Sequence, residues 1–229
     1  MAIQAQDLAT QVRTVLQETT PGGMRWKDAE LIDWINNAQR EVALLKPEAS
    51  AKNTNIALVE GTLQSIPTDG VLLLNIVRNM GSANNHGSDS AARSVRITER
   101  EILDAENPDW HSDSPTAVVL HYMFDENDPT NFMVYPPQPS SGRGYLNIIY
   151  SASPTNIIGL VDNITIPDIY ANQIVDYVLY RCYQKDADYA GNKERSLSHY
   201  QYFRESLGAK SQIDLVNDPN NKTMMMKQA

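Results

Sequence analysis

The spacing of apolar residues changes twice along this chain of 229 residues. Near both ends it follows the period of about 3.6 residues that marks an amphipathic helix, and in the middle it approaches the period of two that marks a β-strand. The alternating stretch lies between residues 53 and 165. Because the helices come before and after the strands instead of alternating with them, the pattern favours an α+β protein over a doubly wound parallel sheet.

Two helices are predicted within residues 1–52. The first precedes a Thr-Thr-Pro-Gly-Gly turn, and the second runs from an Asp28 cap to Pro47. The apolar stripe of the second helix is Leu31, Trp34, Ile35, Ala38, Val42 and Leu45. Its polar residues, which include Asn36 and Gln39, are expected on the solvent side.

A β-rich insert is predicted for residues 53–165. Its strands are expected around residues 56–58, 71–77, 117–124, 131–135 and 145–150, with 117–124 and 131–135 forming a hairpin. Residues 81–94 are rich in Gly, Ser, Asn and Asp and predict a mobile loop. Thr98, followed three residues later by Glu101, predicts the capping box of a short helix.

Residues 166–210 predict a returning pair of helices that completes a helical bundle with residues 1–52. Pro167 and Asp168 suit the start of the first helix. The apolar stripes are Tyr170, Ile174, Tyr177, Val178 and Cys182 in the first helix, and Leu197, Tyr200, Phe203 and Leu207 in the second, which is expected to end near Gly208. The polar residues 211–229 predict a flexible tail. The expected fold is thus a helical bundle carrying a β-rich insert, sandwich or barrel-like.

Composition limits the possible functions. The chain has 19 basic and 28 acidic residues, and its formal charge of -9 opposes strong binding to a phosphate backbone. No stretch approaches the ~20 consecutive apolar residues of a membrane span, so no membrane association is expected. Cys182 is the only cysteine, which excludes an internal disulfide and a Cys-based zinc site within one chain.

Catalytic signatures are absent. The chain has no P-loop, GxSxG or GxGxxG sequence, and its four histidines lack the spacing of metal ligands. Residues 109–113, Asp-Trp-His-Ser-Asp, have the oxygen and nitrogen ligands that a divalent ion prefers, but a polar loop anchored by Trp110 is the favoured interpretation. We therefore expect neither an enzyme nor a cofactor.

Two groups of residues are candidates for contacts with other proteins. Tyrosine is enriched in interfaces, and Tyr180, Tyr183 and Tyr202 lie off the predicted core stripe, so they are candidates for a contact between subunits. The apolar residues after position 211 are candidates for a partner contact, since methionine adapts to irregular grooves. These candidates are Ile213, Leu215, Val216, Met224, Met225, Met226 and the adjoining Lys227.

Four motifs in order resemble the head-to-tail adaptor, or connector, family of bacteriophages, the class that includes tail tubular protein A of short-tailed phages. The first motif runs from Trp26 to Glu41 and ends in Asn-x-Ala-Gln-x-Glu, and the second runs from Gly61 to Asp69. The third joins the stretch from Val134 to Pro139 with the stretch from Leu146 to Pro154. The fourth runs from Ile166 to Tyr170 and leads to Tyr180 and Tyr183. The resemblance covers most of residues 1–210.

The resemblance implies a structural virion protein of the neck or tail, assembled in the host cytoplasm. It implies a ring of twelve copies between the portal protein and the tail nozzle or tail tube protein, through which DNA passes without sequence-specific binding. The apolar residues after position 211 are then expected to contact the portal. Two alternatives stay open, another neck or tail-completion protein and a ligand-binding module with no role in assembly.

Overall fold

The computed structural model describes residues 3–18, 24–81, 91–189 and 191–217, and it is a mixed α and β protein. In the described residues the helices are α1 (Ala5–Val15), α2 (Asp28–Leu45), α3 (Arg100–Glu106), α4 (Ala171–Lys185) and α5 (Asn192–Asn217). The strands are β1 (Ala51–Ala57), β2 (Gly61–Ser65), β3 (Gly70–Met80), β4 (Ala91–Ser94), β5 (Arg96–Ile97), β6 (His121–Phe124), β7 (Asn131–Gln138) and β8 (Tyr145–Ala152).

The chain forms two compact units. One combines Met1–Ser50 with Pro154–Ala229 and is called the helical unit here, and the other, Ala51–Ser153, is called the β unit. In the helical unit, α4 packs against α1, α2 and α5. Its core contains the predicted apolar residues Leu31, Ile35, Val42, Ile174, Val178 and Cys182, joined by Phe203 and Leu207 from α5.

Two predictions for α5 are wrong. The helix continues past Gly208 to Asn217, because a glycine without a left-handed conformation does not end a helix. Leu197 was expected in the core stripe, but it is 60% exposed. The core contact of α5 is made by Phe203 and Leu207, which lie on a different side of the helix from Leu197.

The β unit contains two four-stranded sheets, with strand orders β1-β8-β3-β4 and β2-β7-β6-β5. All described strand pairs are antiparallel except β5 with β6. Ile76 and Ile148 of the first sheet and Phe132 and Val134 of the second belong to one hydrophobic core. Among the described strands, the chain changes sheets four times: between β1 and β2, between β2 and β3, at the buried Val95 between β4 and β5, and between β7 and β8.

Several local predictions in the β unit are corrected. Ala91–Ser94, at the end of the predicted loop 81–94, forms β4, while residues 82–90 lie outside the described part. Residues 117–120 are not a strand, and β6 begins at His121. Helix α3 begins after Glu99, which has no side-chain capping bond, so the predicted Thr98 box does not form. A short solvent-exposed segment carries too little apolar periodicity to fix these limits.

Strand β7 was expected to end at residue 135, but it continues through Pro136 and Pro137 to Gln138. Proline removes a backbone donor and is tolerated only where the ladder does not need one. The pairing of β7 with both neighbouring strands is interrupted at this point. Its pairing with β6 ends at Tyr135, and its pairing with β2 skips the residues between Met133 and Gln138.

Candidate functional site

Two side chains of α2 hold the segment that returns from the β unit to the helical unit. Asn36 Nδ2 donates to the carbonyl oxygen of Ile157 at 3.0 Å, and Asn36 Oδ1 accepts from the amide of Ile157 at 2.9 Å. Gln39 Oε1 accepts from the amide of Thr165 at 2.7 Å. Both amide side chains are buried, at 7% and 0% exposure, so their predicted place on the solvent side of α2 is wrong.

The first residues of the described chain hold the same segment from another side. The amides of Ala5 and Gln6 donate to the carbonyl oxygens of Asp162 and Leu160 at 2.9 and 2.8 Å. Since side chains of α2 and backbone amides of α1 both bind the backbone of this segment, it has a defined position although it forms no helix or strand. The Asn-x-Ala-Gln-x-Glu motif thus supplies the two side chains, Asn36 and Gln39, that fix this loop.

The candidate interface tyrosines differ in exposure. Tyr180 and Tyr183 are half-buried and pack against the helical core. The ring of Tyr180 lies 4.9 Å from that of Tyr200, and Tyr183 stacks on His199 with centroids 5.7 Å apart. Much of each ring is therefore used between α4 and α5. Tyr202 is 60% exposed, which leaves most of its ring available to a partner.

Ion pairs connect the helices around Trp26. Arg13 pairs with Asp28, Arg25 with Asp186, and Lys185 with Glu30. The hydrogen bond from Lys185 lowers the pKa of the Glu30 carboxyl, so this carboxylate stays ionised at neutral pH. Each pair has one side chain that is more than half exposed, so its contribution to stability is small. Their effect is to fix how the ends of α1, α2 and α4 meet.

The candidate portal-contact residues are only partly described. Ile213, Leu215 and Val216 lie in the last turns of α5 instead of in an extended tail, and their side chains are outside what the structure describes. Met224, Met225, Met226 and Lys227 lie beyond the described residues.

The predicted polar loop of the β unit is anchored by its tryptophan, as expected. Trp110 is fully buried, and its Nε1 donates to Asp104 Oδ1 at 2.8 Å. Asp113 accepts hydrogen bonds from Asn107 and Tyr135, and His111 Nδ1 lies 2.9 Å from Thr62 Oγ1. Across the described residues, no three His, Cys, Asp or Glu side chains are grouped as a metal site would require.

A groove of about 640 Å³ lies on the β unit, beside the turn between β6 and β7. Its lining includes the apolar residues Phe132 and Met133, five carboxylates and one arginine. These charged residues are Glu99, Glu101, Asp125, Glu126, Asp128 and Arg100. Hydrogen bonds from the backbone and side chain of Asn127 lower the pKa of Asp125. The groove is therefore strongly acidic, and it contains neither a nucleophile nor an imidazole.

The single thiol is unsuited to catalysis. Cys182 is fully buried in the helical core. Burial raises the pKa of its thiol to about 12, and Glu18 and Glu30 add to the shift. A thiol nucleophile reacts as the thiolate, which is almost unpopulated here at neutral pH.

The comparison with protein families decides between the remaining classes. The model of the family described as SU10 adaptor protein matches residues 3–223. The chain belongs to this family. It is a phage adaptor, and the resemblance to head-to-tail adaptors is confirmed. No curated protein matches this adaptor.

Family membership gives the adaptor a structural role in the virion. Partners among the head and tail proteins of the phage follow from the same membership. Within the parts of the chain that the structure describes, no helix combines the length and the apolar character needed to cross a membrane.

Sequence reasoning identified the motif at residues 36–41 but not its use, because a buried amide looks like a solvent-exposed one in a hydropathy pattern.

Proposed function

We propose that twelve copies of this adaptor close into a ring between the portal protein and the tail nozzle or tail tube protein, assembled in the host cytoplasm. DNA passes through this ring without sequence-specific binding. The observation that carries the proposal is the family match over residues 3–223. The formal charge of -9 agrees with a passage that does not retain DNA, since phosphate binding requires clustered Lys and Arg.

A ring closes when each subunit uses two different surfaces, one for each neighbour. In this proposal the helical unit forms the ring wall, and the β unit faces the tail or the outer side. Tyr202 is the favoured aromatic contact between subunits because it is 60% exposed. Tyr180 and Tyr183 contribute only their exposed edges, since both pack against the helical core.

The C-terminal residues are proposed to contact the portal. Any conformational entropy that these residues lose on docking would be offset by the contacts made there. The proposed contact residues are Ile213, Leu215, Val216, Met224, Met225, Met226 and Lys227. Since α5 extends to Asn217, the first three are presented by a helix, and only the last four follow it.

Electron microscopy of the adaptor co-expressed with the portal protein encoded near it tests the ring. Rotational averages should show a second ring of twelve subunits stacked on the portal. A bare portal with a monomeric adaptor would contradict the proposed ring and favour another neck or tail-completion role.

Two truncations test the portal contact. Removing residues 218–229 leaves α5 whole, and removing residues 211–229 also shortens the helix by its last seven residues. Both chains should keep the melting temperature of the full chain, and the longer deletion should abolish co-purification with the portal. Normal docking of that chain would refute the contact while leaving the ring untouched.

A further inference from the structure

The loop at residues 157–162 presents two apolar side chains to solvent. Ile158 is 89% exposed and Val161 is 70% exposed. Their backbone is fixed, because Asp162 Oδ2 accepts from the amides of Ile158 and Gly159 at 2.8 and 2.9 Å, in addition to the contacts from Asn36 and α1. The loop therefore cannot turn these side chains inward without losing several hydrogen bonds.

A shallow groove on α5 has a complementary character. Its volume is about 530 Å³, and Leu197, Tyr200, Gln201, Arg204 and Glu205 line it. Leu197 is 60% exposed at one end of it. Gln201 Nε2 donates to Glu205 Oε1 at 2.7 Å. Among the described residues, none forms an ion pair with Arg204.

The loop and the groove belong to separate parts of the helical unit. Helix α5 packs along α4, α4 packs against α2, and α2 holds the loop through Asn36. The loop and the α5 groove are therefore formed by different elements of the helical unit and share no residue. A head-to-tail contact requires two distinct and complementary surfaces of this kind.

Charge supports the same pairing. The loop contains Asp162, whose pKa is lowered by the hydrogen bonds from the amides of Gly159 and Ile158, so it is ionised at neutral pH. One of its oxygens accepts these bonds, and the other is left for a partner. Arg204 in the groove is a matching cation, and a guanidinium binds a carboxylate with defined geometry.

We propose that the 157–162 loop of one adaptor copy inserts Ile158 and Val161 into the α5 groove of the next copy, with Asp162 beside Arg204. This inference rests on the proposed ring and names one of its contacts between subunits. The two apolar side chains form the centre of the interface, where the few residues that dominate binding energy are usually found. The surrounding contacts exclude water from this centre.

Disulfide cross-linking tests the contact, and the protein is well suited to it because its native Cys182 is fully buried. The test variant is I158C/L197C, co-expressed with the portal and oxidised with copper phenanthroline. The control is I158C/L44C, since Leu44 is also a leucine exposed on a helix of the same unit, at 73%. Non-reducing electrophoresis then resolves the covalent oligomers.

A ladder of oligomers in I158C/L197C, absent from the control, is the expected result. Rings visible by microscopy without a ladder, or an intramolecular disulfide in the monomer, would overturn the loop contact and leave the proposed ring standing. Absence of rings in the wild-type protein would instead overturn the ring, and the contact with it.

The variant I158D gives a second measurement. Because Ile158 is 89% exposed, the variant should keep the melting temperature of the wild type, yet its ring occupancy on the portal should fall at least tenfold. Full occupancy by a folded I158D chain would count against the proposal.

Discussion

The side chain of Asn36 and the backbone of Ile157 form a closed pair of hydrogen bonds, 3.0 and 2.9 Å long, between residues 121 positions apart in the chain. Asn36 thereby acts as a substitute for a neighbouring strand, satisfying both backbone groups of a residue outside regular structure. The loop that carries Ile158 and Val161 depends on this pair for its position. If the loop contacts the next subunit as proposed, Asn36 links the stability of the protein to its assembly.

Replacing Asn36 with alanine should lower the free energy of unfolding by about 3 kcal/mol, because two buried backbone groups of Ile157 lose their partners. Urea unfolding followed by far-ultraviolet circular dichroism measures the change. Asn37→Ala is the matched control, since the neighbouring side chain is only half-buried and accepts a bond from the exposed Arg40. Equal stabilities of the two variants would show that the Ile157 contact contributes nothing.

Asn36 and Gln39 should behave as one unit. They lie one turn apart on α2, and Gln39 Oε1 accepts from Thr165 while Asn36 holds Ile157. Once one anchor is lost, the loop is already displaced and the second loss costs less. The double variant N36A/Q39A should therefore be about 1 kcal/mol more stable than the sum of the single changes predicts. Strict additivity in a double-mutant cycle would indicate two independent contacts.

The helices with strong apolar periodicity could be predicted from the sequence, and the reasons are local. Leu31, Ile35 and Val42 recur at helical spacing and are all fully buried. The burial of Asn36 and Gln39 could not be predicted this way, because their partners are more than one hundred residues distant. A buried amide becomes favourable only when a backbone segment arrives to satisfy it.

Short strands were harder to predict for a related reason. Strand β4 has four residues, Ala91–Ser94, in a polar stretch, and it exists because β3 is long enough to pair with it. The surface residues Ile158 and Val161 were not identified as a candidate site either. Two exposed apolar side chains have no sequence signature that separates them from core residues.

Trp110 should be the most sensitive single position of the β unit. Its ring is fully buried, and its Nε1 donates to Asp104. Trp110→Ala should cost about 4 kcal/mol through the cavity it leaves. Trp110→Phe should cost less, since it retains most of the buried apolar surface. The control is His111→Ala, which removes an exposed ring and should cost below about 1 kcal/mol. A similar loss for all three variants in urea unfolding would contradict the anchoring role.

Stability should fall at alkaline pH because of Cys182. Burial raises the pKa of this thiol to about 12 in the folded chain, against about 8.5 for a free thiol. Between these two pKa values the folded state keeps the proton that the unfolded state releases. The contribution of the protonated thiol to the free energy of unfolding is therefore complete below pH ~8.5 and is lost as the pH rises toward the folded pKa. The free energy of unfolding falls by at most about 1.4 kcal/mol per pH unit because of this thiol.

Comparing wild type with Cys182→Ala between pH ~8.5 and ~10 isolates this effect, because tyrosine in an unfolded chain titrates near pH 10. Tyr150, whose pKa burial and Asp69 also raise to about 12, contributes only above that range. The alanine variant should show a flatter dependence of unfolding free energy on pH. Identical slopes for the two proteins would mean that the thiol is not buried as described.

Gly208 provides a test of how α5 ends. It lies inside the helix, it is exposed, and a Cβ added there would meet no atom within 4 Å. Gly208→Ala should therefore stabilise the protein by about 0.8 kcal/mol, since alanine loses less backbone entropy in a helix. Gly191, just before α5, has a φ of +83°, and Gly191→Ala should destabilise by about 1 kcal/mol. If the helix passes through Gly208, thermal unfolding should show a higher melting temperature for Gly208→Ala and a lower one for Gly191→Ala. If both were destabilising, Gly208 would be the left-handed C-terminal cap that its sequence suggests, and α5 would end before the proposed portal-contact residues Ile213, Leu215 and Val216.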